Sequence, residues 1–357
     1  MHIFDAHLDL GLNGVDWNRD LRKSVDEIRA EERKLGMQDQ AGRATNTVSL
    51  PELESAQVKT CLATLLARQE PQINHSFGWT SKHTCYAMAH AHLAYYRALE
   101  KEGHLRILRD SEDLLNHRRQ VESDGGTAPL GFILTMEGAD PLLTPDTIEE
   151  FYSLGLRAIG LTHYGDNRYG GGTNSRRGLE LDAKQLLQKI SQLGMTLDMT
   201  HLSDNAFPQA LDWFDGPVHA SHQNSRRLAS WQRQFSDEQY KAVLARGGVV
   251  GIAFDIIMLQ EGYVRRESEL LATIETAVEN IDIVCQLAGN ATQVGIGSDL
   301  DGGYGAEQTP RDLDRISDLQ IIPELLDRRG YTSEDISGIM HGNWFRFFEQ
   351  VLPATAP

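Results

Sequence analysis

His7 and Asp9 stand two residues apart at the end of an apolar run, HIFDAHLDL. Alternate residues of a strand share a face, so both side chains can reach one metal ion. Glu137 ends a second run, GFILTMEGAD. A carboxylate there is costly to bury unless cations or hydrogen bonds compensate it, and one bridging carboxylate can hold two cations close together. His201 in TLDMTHLSD and His222 in PVHASHQNS end two more runs. Neutral imidazole is the commonest metal ligand, and imidazole with carboxylate suits Zn²⁺ or a neighbouring first-row ion. His163 in AIGLTHYGDN and Asp299 in QVGIGSDLDG complete the series. Taken singly, each has an ordinary explanation: a capping aspartate, a hydrogen-bonded core histidine, a glutamate facing an arginine, a D-G-G turn. Their recurrence at run ends favours chemistry. His219, three residues before His222, falls on the opposite face by strand parity and reads as structural. Asp301 shares the face of Asp299 by the same period; Asp299, nearer the apolar run, is the preferred proton-transfer group. His75, His83, His90, His92, His104, His117 and His341 read as surface or helix-packing residues.

The elements that must position these groups are eight short apolar runs, at 2–9, 58–67, 130–137, 157–163, 195–201, 217–222, 248–254 and 293–299. Such runs suit parallel strands buried on both faces. Helical spacing covers 80–102, 181–193 and 236–246, with Ser236 as an N-cap and Gly103, Gly194 and Gly247 as stops. Strands alternating with helices, each strand ending in a functional group, predict an α/β fold of the (β/α)8 barrel type with its site at the C-terminal ends of the strands. A doubly wound open sheet is the competing architecture. The connections 10–56 and 68–79 are long and sit over the barrel mouth, where they shape a pocket. Residues 332–351 read as two short helices. With no repeat or linker, 1–357 reads as one catalytic domain.

The net charge of −17 argues against nucleic acid and anionic membranes as partners. The three cysteines, Cys61, Cys85 and Cys285, show no metal-binding or disulfide spacing and suggest reduced thiols and a cytoplasmic setting. The first residues show no export signal, and no apolar run approaches the roughly 20 residues of a membrane span.

The segments HIFDAHLDL, MEGAD, GLTHYGDN, GLELDAKQLLQKISQLGMTLDMTHLSD, HASHQNSR, GIGSDLDG and RGYTSEDISGIMHGNWFRFFEQV resemble the membrane (renal) dipeptidase family, peptidase family M19 of the amidohydrolase superfamily. The resemblance is weakest over 10–50 and 68–125. The family opens on D-G-H-N-D; here Asp5, Ala6, His7, Leu8 and Asp9 keep both ligands and replace the Gly and Asn. The resemblance implies a binuclear zinc site, with Mn²⁺ or Co²⁺ able to fit the same ligands. His7, Asp9 and Glu137 would hold one ion; Glu137, His201 and His222 would hold the other. It implies hydrolysis of free dipeptides by a metal-bridging hydroxide. His163 and Arg233 would contact the substrate and Asp299 would move protons. Arg233 is identified by its place eleven residues after His222; Arg226 and Arg227 are its rivals. The resemblance is also the sole ground for expecting a homodimer. Two alternatives stay open: a related amidohydrolase acting on N-acyl amino acids, lactams or lactones, and a metal-stabilised binding module without activity.

Overall fold

The computed structural model describes residues 1–70, 78–123 and 128–355. Nine parallel strands form one sheet: β1 Ile3–Leu8, β2 Val58–Leu66, β3 Leu105–Ile107, β4 Leu130–Glu137, β5 Leu156–Gly160, β6 Thr196–Asp198, β7 Val218–His219, β8 Val250–Ile252 and β9 Val294–Ile296. Eight follow the order β7-β6-β5-β4-β2-β1-β9-β8. A bridge from Ala220 to Val250 brings the ends of that path together. With helices between the strands this is a nearly closed (β/α)8 barrel, and all eight expected runs contribute to it. The addition is β3, which pairs with the start of β4 from Leu105↔Leu130 to Ile107↔Phe132. Beyond it, β5 takes over from Leu134. Three residues are too few to show a period in sequence.

The expected helices form at Lys82–Lys101, Leu181–Gln192 and Asp237–Ala245. Ser236 and Gln239 make a reciprocal capping box, and Gly194 and Gly247 follow their helices at positive φ. Residues 332–351 are more continuous than two separate helices: Ser333–Ser337 passes through a π turn, Gly338–Gly342, into Asn343–Val351. That last helix closes the floor of the barrel. Trp344, Phe345, Phe347 and Phe348 join Phe4, Ala6, Leu62, Ile133 and Val249 in one apolar cluster. Asn343 Nδ2 donates to the carbonyls of Ala291 and Val294, each at 2.7 Å, and Trp344 Nε1 to that of Ile296 at 3.0 Å. With the N-terminal end filled, the C-terminal end is left for chemistry.

Two of the remaining histidines also pack at the floor. His219 lies against Trp344, Phe347 and Phe348. His117 is fully buried and donates from Nε2 to Lys59 O at 2.9 Å. His92, also buried, pairs with Asp16 at 2.5 Å. His75 lies outside the described residues, as does most of the 68–79 connection. The 10–56 connection contains the helix Val25–Lys34 and is tied to the barrel by Asp301. The carboxylate of Asp301 accepts from Thr47 N, Thr47 Oγ1 and Val48 N at 2.7, 2.8 and 3.0 Å. Among the described residues no helix is long and apolar enough to cross a membrane.

Candidate metal centre

The strands stop earlier than their apolar runs do. β5, β6, β7, β8 and β9 end at Gly160, Asp198, His219, Ile252 and Ile296. His163, His201, His222, Asp255 and Asp299 each follow three residues later. The runs at 157–163, 195–201, 217–222 and 293–299 therefore include a short non-ladder segment that carries the functional residue. The backbone explains the early stop, since His201 and Asp299 adopt left-handed conformations, φ 68° and 60°, that a strand cannot continue through. Asp301 is left-handed too, at φ 61°, so period-two parity fails after Ile296. Asp301 points to Thr47 and Val48, not into the site, and the expectation that it shares a face with Asp299 is corrected.

β1 solves its geometry differently. Its pairing with β2 slips between Asp5↔Cys61 and Leu8↔Ala63, one extra residue on β1. Ala6 thus packs in the floor cluster while Leu8 packs in the main outer core. A bulge of this kind re-aims side chains, and here it presents His7.

Five expected ligands meet. Glu137 Oε1 lies 3.2 Å from His201 Nε2 and 3.5 Å from His222 Nε2. Glu137 Oε2 lies 3.4 Å from His7 Nε2, which is 3.7 Å from Asp9 Oδ2. The donor atoms of His7, Asp9 and Glu137 lie within 4.8 Å of one another, as do those of Glu137, His201 and His222. A third such set joins His7 and His222 to Asp299. The rings are fixed from behind. His201 Nδ1 is 2.8 Å from Thr173 Oγ1, His222 Nδ1 is 2.8 Å from Ser221 Oγ, and Thr64 Oγ1 donates to Asp9 Oδ1. Nδ1–H donation to a hydroxyl leaves Nε2 as a lone pair for a metal. Thr173 reaches His201 because Gly172 lets the loop close: a Cβ there would lie 1.9 Å from His163 O.

Electrostatics divide the cluster. Burial pushes His201 and His222 well below the ordinary histidine range, and the Arg233 charge adds to this. Both are therefore neutral, the form that binds metal. Burial also opposes charge on His7, but the Glu137 and Asp9 carboxylates outweigh it and hold His7 well above that range. Burial raises Glu137 and Asp299. His7 Nε2 and Glu137 Oε2 are buried without a hydrogen-bond partner among the described residues. A divalent cation would satisfy both atoms, and the donor set of imidazoles and carboxylates fits such an ion.

Above the cluster opens a cavity of about 770 Å³, within the range of small-molecule pockets. His163 lines it, with Nε2 3.6 Å from Glu137; burial pushes its imidazole well below the ordinary range. Arg233 lines it too. It is buried, and donates to Gln223 Oε1 at 2.8 Å and His222 O at 3.1 Å. Its rivals point elsewhere: Arg226 pairs with Asp204 and Arg227 with Asp237. Sequence reasoning missed Arg68, Asp255, Arg265 and Gln308 on the same wall. Arg68 and Asp255 follow β2 and β8, the two strands to which no functional residue had been assigned, so position after the strand was the available signal. Arg265 comes from a turn and Gln308 from the 3-10 helix Ala306–Gln308, and neither carries such a signal.

A (β/α)8 barrel with paired ligand sets sharing one carboxylate at its mouth defines the class: a metal-centre barrel with a small-molecule pocket. The particular family follows from comparison. The family model described as membrane dipeptidase, peptidase family M19, matches residues 1–356, and the chain belongs to that family. A dipeptidase of Schizosaccharomyces pombe is 30% identical over 231 residues, covering 62% of this chain and 53% of that protein. Dipeptidase 3 of Rattus norvegicus is 26% identical over 242 residues, covering 65% and 47%. The chain thus matches about half the length of each. A Rhodobacter sphaeroides metallopeptidase, solved with a phosphinate mimic of the dipeptide L-Ala-D-Ala, shares the fold. Its TM-score is 0.79 at 21% identity, covering 98% of this chain and 99% of that one.

Proposed function

We propose that this protein is a metal-dependent dipeptidase that holds two divalent cations, zinc first among them, and hydrolyses free dipeptides. The observation that carries the reading is the position of Glu137, with Oε1 toward His201 and His222 and Oε2 toward His7. His7, Asp9 and Glu137 would hold one ion; Glu137, His201 and His222 would hold the other. When bound, such a pair acidifies a water to a nucleophile at neutral pH and polarises the peptide carbonyl.

The chain's own residues do the rest. Asp299 is 13% exposed at the cavity floor and 3.9 Å from His7. It takes a proton from the attacking water and delivers it to the leaving amine. His163, on the far side of Glu137, donates to the carbonyl oxygen as negative charge develops there. Arg233, backed by Gln223, pairs with the α-carboxylate of the substrate. The test is elemental analysis of the fully loaded protein combined with a dipeptide panel. The expected result is about two equivalents of metal, as for a two-metal hydrolytic site, with hydrolysis of free dipeptides. A firm stoichiometry of one overturns the bridging role of Glu137. Two metals with turnover of N-acyl amino acids, lactams or lactones alone would point to the neighbouring amidohydrolase reading.

A further inference from the structure

We infer that Asp255 anchors the free α-ammonium group of the dipeptide, an assignment that rests on the dipeptidase reading above. Asp255 follows β8 by the same three residues that separate His163, His201, His222 and Asp299 from their strands, so the barrel delivers it to the same mouth. It lines the cavity and is only 6% exposed. Its surroundings hold it rigidly by one oxygen: Oδ1 accepts from Ile257 N at 3.1 Å and from Gln308 Nε2 at 2.8 Å. Gln308 is itself buried, and its amide oxygen accepts from Arg265, which fixes the amide so that its NH₂ faces Asp255. Among the described residues no hydrogen bond is made to Oδ2 and the carboxylate forms no direct ion pair, although the Arg265 and Arg233 charges act on it from farther away. A carboxylate buried beside a cavity without a direct ion pair is costly, and burial outweighs the help of the more distant Arg265 and Arg233 charges. A cationic ligand group entering the cavity removes that cost.

The charges of the substrate identify which group this is. A free dipeptide carries one carboxylate and one ammonium. Under the proposed function Arg233 takes the first. Four carboxylates line the cavity: Asp9, Glu137, Asp255 and Asp299. Asp9 and Glu137 are committed to metal and Asp299 to proton transfer, which leaves Asp255 for the ammonium. With both ends of the zwitterion read inside one pocket, a chain extended at its N-terminus has no counterpart for its amide.

The experiment uses the metal-loaded protein with alanyl-alanine and its des-amino analogue, propionyl-alanine, in the native chain and in Asp255→Asn. The substitution keeps an oxygen for Ile257 and Gln308 and removes the charge. Native kcat/KM should favour the free amine by roughly 10- to 100-fold, the worth of one charge-assisted hydrogen bond. Asp255→Asn should lose that factor on alanyl-alanine and change little on propionyl-alanine. Calorimetric titration with phosphinate analogues of the same pair, with and without the amine, reads binding without turnover and should show the same loss of discrimination. Equal losses on both ligands, or native affinity indifferent to the amine, overturn the assignment of Asp255 and leave dipeptidase activity standing. A native protein that binds and hydrolyses neither compound overturns the dipeptidase reading and the assignment together.

Discussion

At the floor of the barrel, His117 and His219 are buried among the C-terminal aromatic helix and the strand starts; at the mouth, His7, His201 and His222 are buried around Glu137. The two sets share residue type and burial. They even share an open ring nitrogen: His117 Nδ1, His219 Nε2 and His7 Nε2 all lack a hydrogen-bond partner among the described residues. Neither burial nor an unpaired nitrogen therefore marks a metal ligand. What differs is convergence. At the floor each open nitrogen has only its own surroundings, and His219 comes no nearer to Asp198 than 3.8 Å. At the mouth three Nε2 atoms point at the two oxygens of one carboxylate.

The largest expected break in that contrast comes from removing the point of convergence. Glu137→Gln should lower bound metal from about two equivalents to about one or fewer and reduce turnover by more than about 10³-fold, because under the proposed function both ions would share this group. Elemental analysis and kcat measured together decide it; an unchanged metal content would mean that the histidines suffice. Asp299→Asn should keep its metal and lose on the order of 10² to 10⁴ in kcat, the usual scale for a lost general acid–base. A metal-replete variant with near-normal kcat would remove Asp299 from proton transfer. Arg233→Met should cost roughly 1.5–3 kcal/mol in transition-state binding of a dipeptide and little for the C-terminal amide, since the amide lacks the charge Arg233 reads. Equal losses on both would place the carboxylate elsewhere.

The smallest effect belongs to the floor and should appear in stability alone. Burial pushes His117 down to about 4, whereas an unfolded histidine titrates near 6.5. Between those values the unfolded chain binds more protons, so stability present above about pH 6.5 is lost as the pH falls toward 4. Relative to His117→Gln, the native chain should lose up to about 3 kcal/mol across that window. Denaturant titrations at several pH values test this, with turnover at neutral pH unchanged. Identical pH slopes in the two proteins would show that His117 does not contribute.

The eight barrel strands and the five side chains that converge at the mouth were legible in sequence because a parallel strand buried on both faces is an apolar run, and a carboxylate or imidazole at its end stands out. β3 escaped for want of length. Asp301 was misjudged because parity was carried past Ile296 into left-handed backbone, where it no longer applies. Thr173 and Ser221, which orient the His201 and His222 rings, are ordinary hydroxyls whose importance lies in what they face, and Gln308 reaches Asp255 from the end of a short 3-10 turn. Asp255 itself was within reach, since it follows an apolar run as Asp299 does.

The seam between β1 and β9 has a consequence for folding. Asp5 pairs with Ile296, and Asp5 Oδ1 accepts from Ser298 N at 2.8 Å, so strands nearly the whole chain apart must meet before His7 can face Asp299. Contacts of such long sequence separation form slowly, because loop closure must precede them. Under the proposed function, a cation held by His7 and Glu137 would bind only the chain in which β1 has docked, and so would stabilise that state by mass action. Metal uptake during refolding would then be a clock for the closing of this seam, and chelation should speed the reopening of β1 together with the floor cluster that its Phe4 and Ala6 join.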